Sequence, residues 1–407
     1  MKILRIIARL NVGGPARHVV WLTDALQDGE FQTVLIAGTV PDGEEDMGYL
    51  ARELGVEPVF IEEMSRELSP KDVISLFKIY REMKRRQPDI VHTHTAKAGT
   101  VGRAAAFLYR WLTWKTLIGR PRKVRIIHTF HGHVFHSYYG KFKTRIFLAI
   151  EKILARFATD TIITISPQQC KEIQEDFGVG KAGQFAIIPL GISLETFASP
   201  DIKRNTFRDE MNAASDELLI GFVGRLTEIK NISLFLKVAG LYVKNKASLP
   251  RLRFIIVGDG HLRKSLEKES KELGVNSIVT FLGNRTDTES IYAGLDIVAL
   301  TSLNEGTPLS LIEAMAGKRA VISTAVGGVA DLLGEIVSGH EGFDECERGI
   351  SISVQSAESF FNGLIYLVKN EKLRNRLGAS GFDFVSNNYS KERLVADIKV
   401  LYRRLLR

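Results

Sequence analysis

The sequence predicts an α/β protein built from two doubly wound parallel-sheet domains facing across a cleft. Three observations carry this reading. Short apolar runs alternate with helical patterns along nearly the whole chain, giving βαβαβ twice over. At 407 residues the chain is too long for one core and suits two domains of about 190 residues each. "RIIARLNVGG" opens the first half and "GFVGRLTEIKN" the second, each a strand running into Arg-Leu and a polar turn.

The strands follow in order. "KILRIIA", "FQTVLIAG", "PVFIE", "DIVHTH", "RIIHTF" and "TIITIS" belong to the first half; "LLIGFVG", "RFIIVG", "IVTFLG", "IVALTS" and "AVISTA" belong to the second. A helix between Ser69 and Arg86 starts with a capping box, Ser69-Pro70-Lys71-Asp72, with proline at its first position. Val73, Phe77, Tyr80 and Met83 line one face of it, and Pro88 stops it. Pro189, Gly191 and Pro200 punctuate a seam, so the domains are expected at 1–192 and 193–388. A closing amphipathic helix, 389–407, with Leu394, Ile398, Leu401 and Leu405 on one side, is expected to pack back on the first domain. Ligands of such sheets sit at the carboxyl ends of the strands.

Composition narrows the class. With 45% hydrophobic and 25% charged residues, the chain reads as an ordinary soluble protein, without low-complexity tracts. Cys170 and Cys346 match no metal or redox spacing, which places the chain in a reducing cytoplasm. No apolar run is long enough to span a bilayer, and Arg5 and Arg9 interrupt any signal-peptide core. From Ile90 to Ile150 there are eleven Lys or Arg and no Asp or Glu, interleaved with Phe107, Tyr109, Trp111 and Trp114. Such a mixture suits an anionic membrane interface and equally a solvated basic surface. Nucleic acid is not expected, since no helix-turn-helix, RNP or zinc pattern accompanies the charge.

The chemistry gathers at loops after strands. In "SLNEGTPLSLIEAMAGK", Thr307 is placed to cap a helix, Pro308 suits its first turn, and Leu309, Ile312 and Ala316 give an inner face. Gly317 is placed to end it in a left-handed conformation. Such a helix start offers free N–H groups to an anion, flanked here by Glu305 and Glu313. Arg225 and Lys230 follow a strand; they either converge on a diphosphate or are ordinary loop charge. Gly13 and Gly14 admit a ligand close to the backbone or serve only a turn. Gly258 and Gly260 resemble a dinucleotide fingerprint, but Arg263 replaces its third glycine, so a tight turn is preferred to an NAD site. His92, His94, His128, His131, His133 and His136 cluster near strand ends. They are read as hydrogen-bonding groups at a sugar or phosphate rather than metal ligands, because no carboxylate, cysteine or familiar zinc spacing accompanies them.

The segments "NVGGPARHV", "HTHTAKAG", "HTFHG", "PLGI", "GFVGRLTEIKN", "VGDGHLR", "FLGNRTD" and "NEGTPLSLIEAMAGK…VGG" resemble, in order and spacing, the retaining glycosyltransferases of family 4 with the GT-B fold. The resemblance runs from about residue 1 to 390, and its most specific element is the pair Glu305 and Glu313. It implies that Glu305 meets the donor sugar and Glu313 the ribose of a nucleoside diphosphate sugar. The backbone of Gly306, Thr307, Pro308, Leu309 and Ser310 would face the donor's phosphate and sugar. Arg225 and Lys230 match the pyrophosphate cations, and Arg285 falls where backbone groups contact the base. Gly14, after Gly13, matches a turn near the diphosphate, and His131 matches a histidine near the reacting carbon. No metal cofactor is implied, and no side chain is assigned as nucleophile. One departure is that Thr307 and Pro308 replace the aromatic-glycine pair common after the first glutamate.

The expectation is therefore a hexosyl- or N-acetylhexosaminyltransferase using a nucleoside diphosphate sugar, with UDP as the expected nucleotide. Its acceptor would be a glycan or a polyprenyl diphosphate lipid, at the inner face of the cytoplasmic membrane, in surface polysaccharide or lipopolysaccharide assembly. A sugar-nucleotide 2-epimerase and a non-catalytic nucleotide-sugar sensor are the alternatives.

Overall fold

The computed structural model describes the chain apart from residues 12–13, 41–45, 65–69, 132–140 and 199, and apart from the side chains of 141–143. Contacts divide it into two compact units, residues 1–191 with 392–407, and residues 192–391.

The first unit holds a seven-stranded parallel sheet. Its strands are β1 (Lys2–Ile7), β2 (Gln32–Gly38), β3 (Val59–Ile61), β4 (Ile90–His94), β5 (Arg125–Thr129), β6 (Thr161–Thr164) and β7 (Phe185–Ile187), in the order β3-β2-β1-β4-β5-β6-β7. Ile3, Leu4, Ile6 and Ile7 of β1 are all buried because helices cover both faces, as parallel sheets require. The last helix, Lys391–Leu406, closes one face: Leu394, Ile398, Leu401 and Tyr402 pack with Ile3, Leu22, Phe31, Ile90, Ile127 and Ile163.

The second unit holds eight strands. These are β8 (Leu218–Val223), β9 (Leu252–Val257), β10 (Val279–Gly283), β11 (Ile297–Leu300), β12 (Ala320–Thr324), β13 (Ile336–His340), β14 (Phe343–Cys346) and β15 (Ile350–Ile352), in the order β10-β9-β8-β11-β12-β15-β14-β13. This sheet is not purely parallel: β13 and β14 form an antiparallel ribbon added at the edge of β15. Sequence patterning missed β7, β13, β14 and β15. Strands β7 and β15 have three residues each and β14 four, too few to establish a period, and every residue of β13 is exposed.

Two helix readings need correction. In the helix Lys71–Arg86 the inner stripe is Leu76, Ile79, Tyr80 and Met83, while Val73 and Phe77 are 58% exposed. The helix packs against its neighbour Ala96–Trp111, which turns the buried face one step round. Ser69 lies outside the described residues; Pro70 stands at the cap position without a side-chain cap, and Asp72 pairs with Lys97 at 2.6 Å. In the helix Leu309–Ala316, Pro308 is the cap residue in an extended conformation and Thr307 makes no capping bond. Gly317 is not left-handed (φ −77°); Lys318 takes that conformation instead, at φ +58°.

Both sheets share one plan, in which strand order reverses between β1 and β4 and again between β8 and β11. Loops leaving the carboxyl ends of those strands bound the crevice where such sheets bind ligands. The two Arg-Leu echoes sit at this same station, and Leu10 and Leu226 are both fully buried there.

Candidate active site

In the second unit, three loops meet beyond the strand ends. The loop after β8 carries Arg225 and Lys230, and the loop after β11 carries Glu305 to Pro308. They are tied by backbone and side chain: the Leu303 N–H donates to the Ile229 carbonyl at 2.7 Å, and the Thr301 hydroxyl to the Lys230 carbonyl at 2.9 Å. The loop after β12 joins them through the Gly328 N–H, 3.2 Å from the Glu305 carbonyl, and the Thr324 hydroxyl, 2.6 Å from the Ser302 carbonyl. A Cβ at Gly328 would stand 2.0 Å from the Gly306 carbonyl oxygen, so this glycine is set by close approach.

Lys230 forms an ion pair with Glu305, whose carboxylate also accepts from the Ser302 hydroxyl at 2.5 Å. The pair is mostly buried at the point where strand order reverses. Gly306, Thr307, Pro308, Leu309 and Ser310 lead from it into the helix, whose first N–H groups have no intrahelical acceptor. Glu313, one turn on, accepts from the Tyr292 hydroxyl at 3.1 Å. Arg225 is exposed, and its guanidinium has no hydrogen-bond or ion-pair partner among the described residues. It remains available to an anion. Arg285 is held on both sides, by Asp287 at 2.7 and 2.8 Å and by Glu210 at 2.5 and 3.0 Å. Its side chain is therefore occupied, which leaves backbone groups of this loop for a ligand.

Gly258 and Gly260 are packing glycines. A Cβ on Gly258 would meet the Gly224 carbonyl oxygen at 2.1 Å, and one on Gly260 the Leu226 carbonyl oxygen at 2.4 Å. They let the loop after β9 lie against the Arg225 loop.

The first unit carries a different constellation. Gly14 starts the helix Gly14–Ala25, and Gly13 lies outside the described residues. His92 and His94 share one face of β4 by its period of two, with rings 4.1 Å apart. His94 Nδ1 stands 2.9 Å from Nε2 of His131, which follows β5, and the His18 ring packs edge-on at 4.9 Å from His131. His92 is bonded through Nδ1 to the Tyr402 hydroxyl and through Nε2 to Thr129 Oγ1, both at 2.7 Å. His128 points to the opposite face and bonds Thr93 at 2.9 Å. His92 and His128 thus belong to the core, while His94 and His131 are at strand ends. His133 and His136 lie outside the described residues. Burial holds the His18, His92, His94 and His128 pKa values well below the usual imidazole value, and brings His131 to about 4.

Thr95, between β4 and the next helix, has φ +68° and ψ 158°, a region almost reserved for glycine. Sequence reasoning gave no weight to Thr95, to His18 or to Arg5, a fully buried arginine whose Nη2 donates to the Tyr402 hydroxyl at 3.2 Å. Arg5 was visible as a charge inside an apolar strand run, and His18 as a polar residue on an otherwise apolar helix face.

Two family models match, glycosyltransferase family 4 over residues 12–196 and glycosyl transferases group 1 over 203–384, together spanning nearly the whole chain. The chain belongs to glycosyltransferase family 4. Among curated relatives, an Escherichia coli UDP-Gal:alpha-D-GlcNAc-diphosphoundecaprenol alpha-1,3-galactosyltransferase is 28% identical, covering 89% of this chain and 90% of its own length. The capsular polysaccharide biosynthesis glycosyltransferase CapM of Staphylococcus aureus is 25% identical, covering 83% and 82%. Among solved structures, Anabaena HepE in complex with UDP superposes with a TM-score of 0.79 at 18% identity, covering 99% of this chain and all of that one. At that identity the likeness is one of fold, and it agrees with the two parallel-sheet units of this family 4 glycosyltransferase.

Proposed function

We propose that this glycosyltransferase moves a hexose or N-acetylhexosamine from a UDP-sugar to a polyprenyl-diphosphate-linked glycan, with retention, in surface polysaccharide assembly. The observation that carries the proposal is the Lys230–Glu305 pair beside the start of the helix Leu309–Ala316. Breaking the anomeric C–O bond leaves negative charge on the diphosphate and positive charge on the sugar. Lys230, Arg225 and the helix N-terminus stabilise the former without a divalent ion. Arrival of the diphosphate draws the Lys230 ammonium to phosphate and frees the Glu305 carboxylate to accept from sugar hydroxyls. Glu313, fixed by Tyr292, accepts from the ribose. The family resemblance that gives His131 a place near the reacting carbon calls for a neutral imidazole, and burial keeps His131 in that form. The acceptor hydroxyl attacks from the face the nucleotide leaves, and the departing phosphate takes its proton.

A lipid-linked acceptor is supported by two observations. The E. coli relative is named for a diphosphoundecaprenol substrate. In the first unit, Leu112, Trp114, Leu117 and Ile118 are exposed, Leu117 at 90%, beside exposed Lys115, Arg120 and Lys123. Part of the basic run is internal, since Arg103 pairs with buried Glu151, Arg110 with Asp160, and Tyr109 is buried under Arg122. The outward remainder is compact, apolar and cationic, as anionic lipid requires. No described helix is long and apolar enough to cross a membrane.

A thermal-shift panel of UDP-, GDP- and ADP-sugars in EDTA tests the donor, with UDP-sugars expected to stabilise most. Product analysis then separates transfer from epimerisation: a new glycoside supports the proposal, and an isomerised donor without one overturns it.

A further inference from the structure

Three imidazoles from separate segments converge in the first unit: His18 on the helix Gly14–Ala25, His94 at the end of β4, and His131 after β5. One ring nitrogen from each lies within 4.8 Å of the others. Apart from the His94–His131 contact, the trio's ring nitrogens are unpartnered among the described residues: both of His18, Nε2 of His94 and Nδ1 of His131 have no hydrogen-bond partner there. A buried polar atom left without a partner is costly, because it has given up its water for nothing. Four of them in one place mark a ligand site.

The donor set identifies the ligand class. All three groups are nitrogen, and no carboxylate belongs to the cluster. We propose that His18, His94 and His131 form a site for a borderline-soft divalent cation, zinc above all, with its fourth position open on the half-buried side at His131. Around a tetrahedral zinc the three nitrogens would stand about 3.3 Å apart, so the rings need to draw together by up to roughly 1.5 Å from the widest spacing. Magnesium is excluded as occupant because it seeks oxygen ligands and keeps its waters. Buried Arg5, whose charge faces His92 and Tyr402, opposes a cation nearby and makes this a modest, reversible site. Zinc here is an inhibitor, since it occupies the ring of His131; that consequence, unlike the site, rests on the sugar-binding role proposed for His131.

The test uses the full chain without a histidine tag, stripped with EDTA and dialysed against zinc chloride. Metal content is measured by emission spectroscopy, with cobalt(II) absorption reporting geometry. One bound zinc per chain, a tetrahedral cobalt spectrum, and affinity at least about tenfold weaker in both His18→Ala and His94→Gln are expected. Circular dichroism checks each variant, and His18→Gln replaces either one that fails to fold. Substoichiometric zinc, or affinity unchanged in the variants, overturns the site. The readout is independent of transfer: a chain that is stabilised by UDP yet takes no zinc removes this inference alone. One that takes zinc but ignores every nucleotide sugar removes the donor reading alone.

Discussion

His92 Nδ1 stands 2.7 Å from the hydroxyl oxygen of Tyr402, 310 residues further along the chain. The same hydroxyl accepts from Arg5 Nη2 at 3.2 Å, so the first strand, the fourth strand and the last helix share one buried polar knot. Removing the hydroxyl leaves Arg5 Nη2 and His92 Nδ1 without this partner inside the core. Tyr402→Phe is expected to lower unfolding free energy by about 1–3 kcal/mol with an unchanged urea m-value. A variant as stable as the parent would show that the knot contributes nothing.

Acid should loosen the first unit. Folded-state pKa values of five histidines lie below the ordinary imidazole value, His131 at about 4. As pH falls below about 6.5 the unfolded chain takes up protons that the folded chain refuses. Stability is therefore full above that pH and declines toward pH 4. Urea midpoints measured across this range should fall, and more gently in His131→Asn. A flat profile would contradict the burial of these rings.

Thr95 stores strain. Its backbone conformation costs of order 1–3 kcal/mol for a β-branched residue, against about 0.5–1 kcal/mol of extra chain entropy lost by glycine. Thr95→Gly is thus expected to raise stability by about 1 kcal/mol in equilibrium denaturation. Lower stability would mean that contacts of its side chain outweigh the strain.

Lys230→Ala should reduce turnover by about two orders of magnitude, the usual effect of losing one group that stabilises developing charge. Initial rates with saturating donor measure it. Wild-type rates would remove Lys230 from the mechanism.

Liposome flotation with anionic lipid at low salt should recover the parent chain. Leu117→Asp and a variant with Arg120 and Lys123 neutralised should float several-fold less, because apolar insertion and charge attraction both contribute. Binding that is indifferent to both changes would dismiss this surface.

The alternating fold was legible because buried parallel strands such as Ile3–Ile7, interrupted only by Arg5, and Ile297–Leu300 are short apolar runs, each entered from a charged residue, Lys2 and Asp296. The edge ribbon was not, since Ile336–His340 is exposed on every residue and answers to no buried face. Lys230 and Glu305 were legible one at a time, as a cation after a strand and an acid before a helix. Their pairing was hidden, because 75 residues separate them and ties between the two loops, Leu303 to Ile229 and Thr301 to Lys230, bring them together. The helix end at Gly317 was misread because glycine permits a left-handed turn without requiring one; the chain makes that turn at Lys318.

The helix that seals the first sheet comes after the whole of the second unit in the chain. Until it leaves the ribosome, Ile3, Ile90 and Ile127 lack a lid and Arg5 lacks its phenol. A nascent polypeptide interrupted before that helix would keep a sticky, unfinished amino-terminal half. Synthesis of the second unit therefore has to be finished before the first can close.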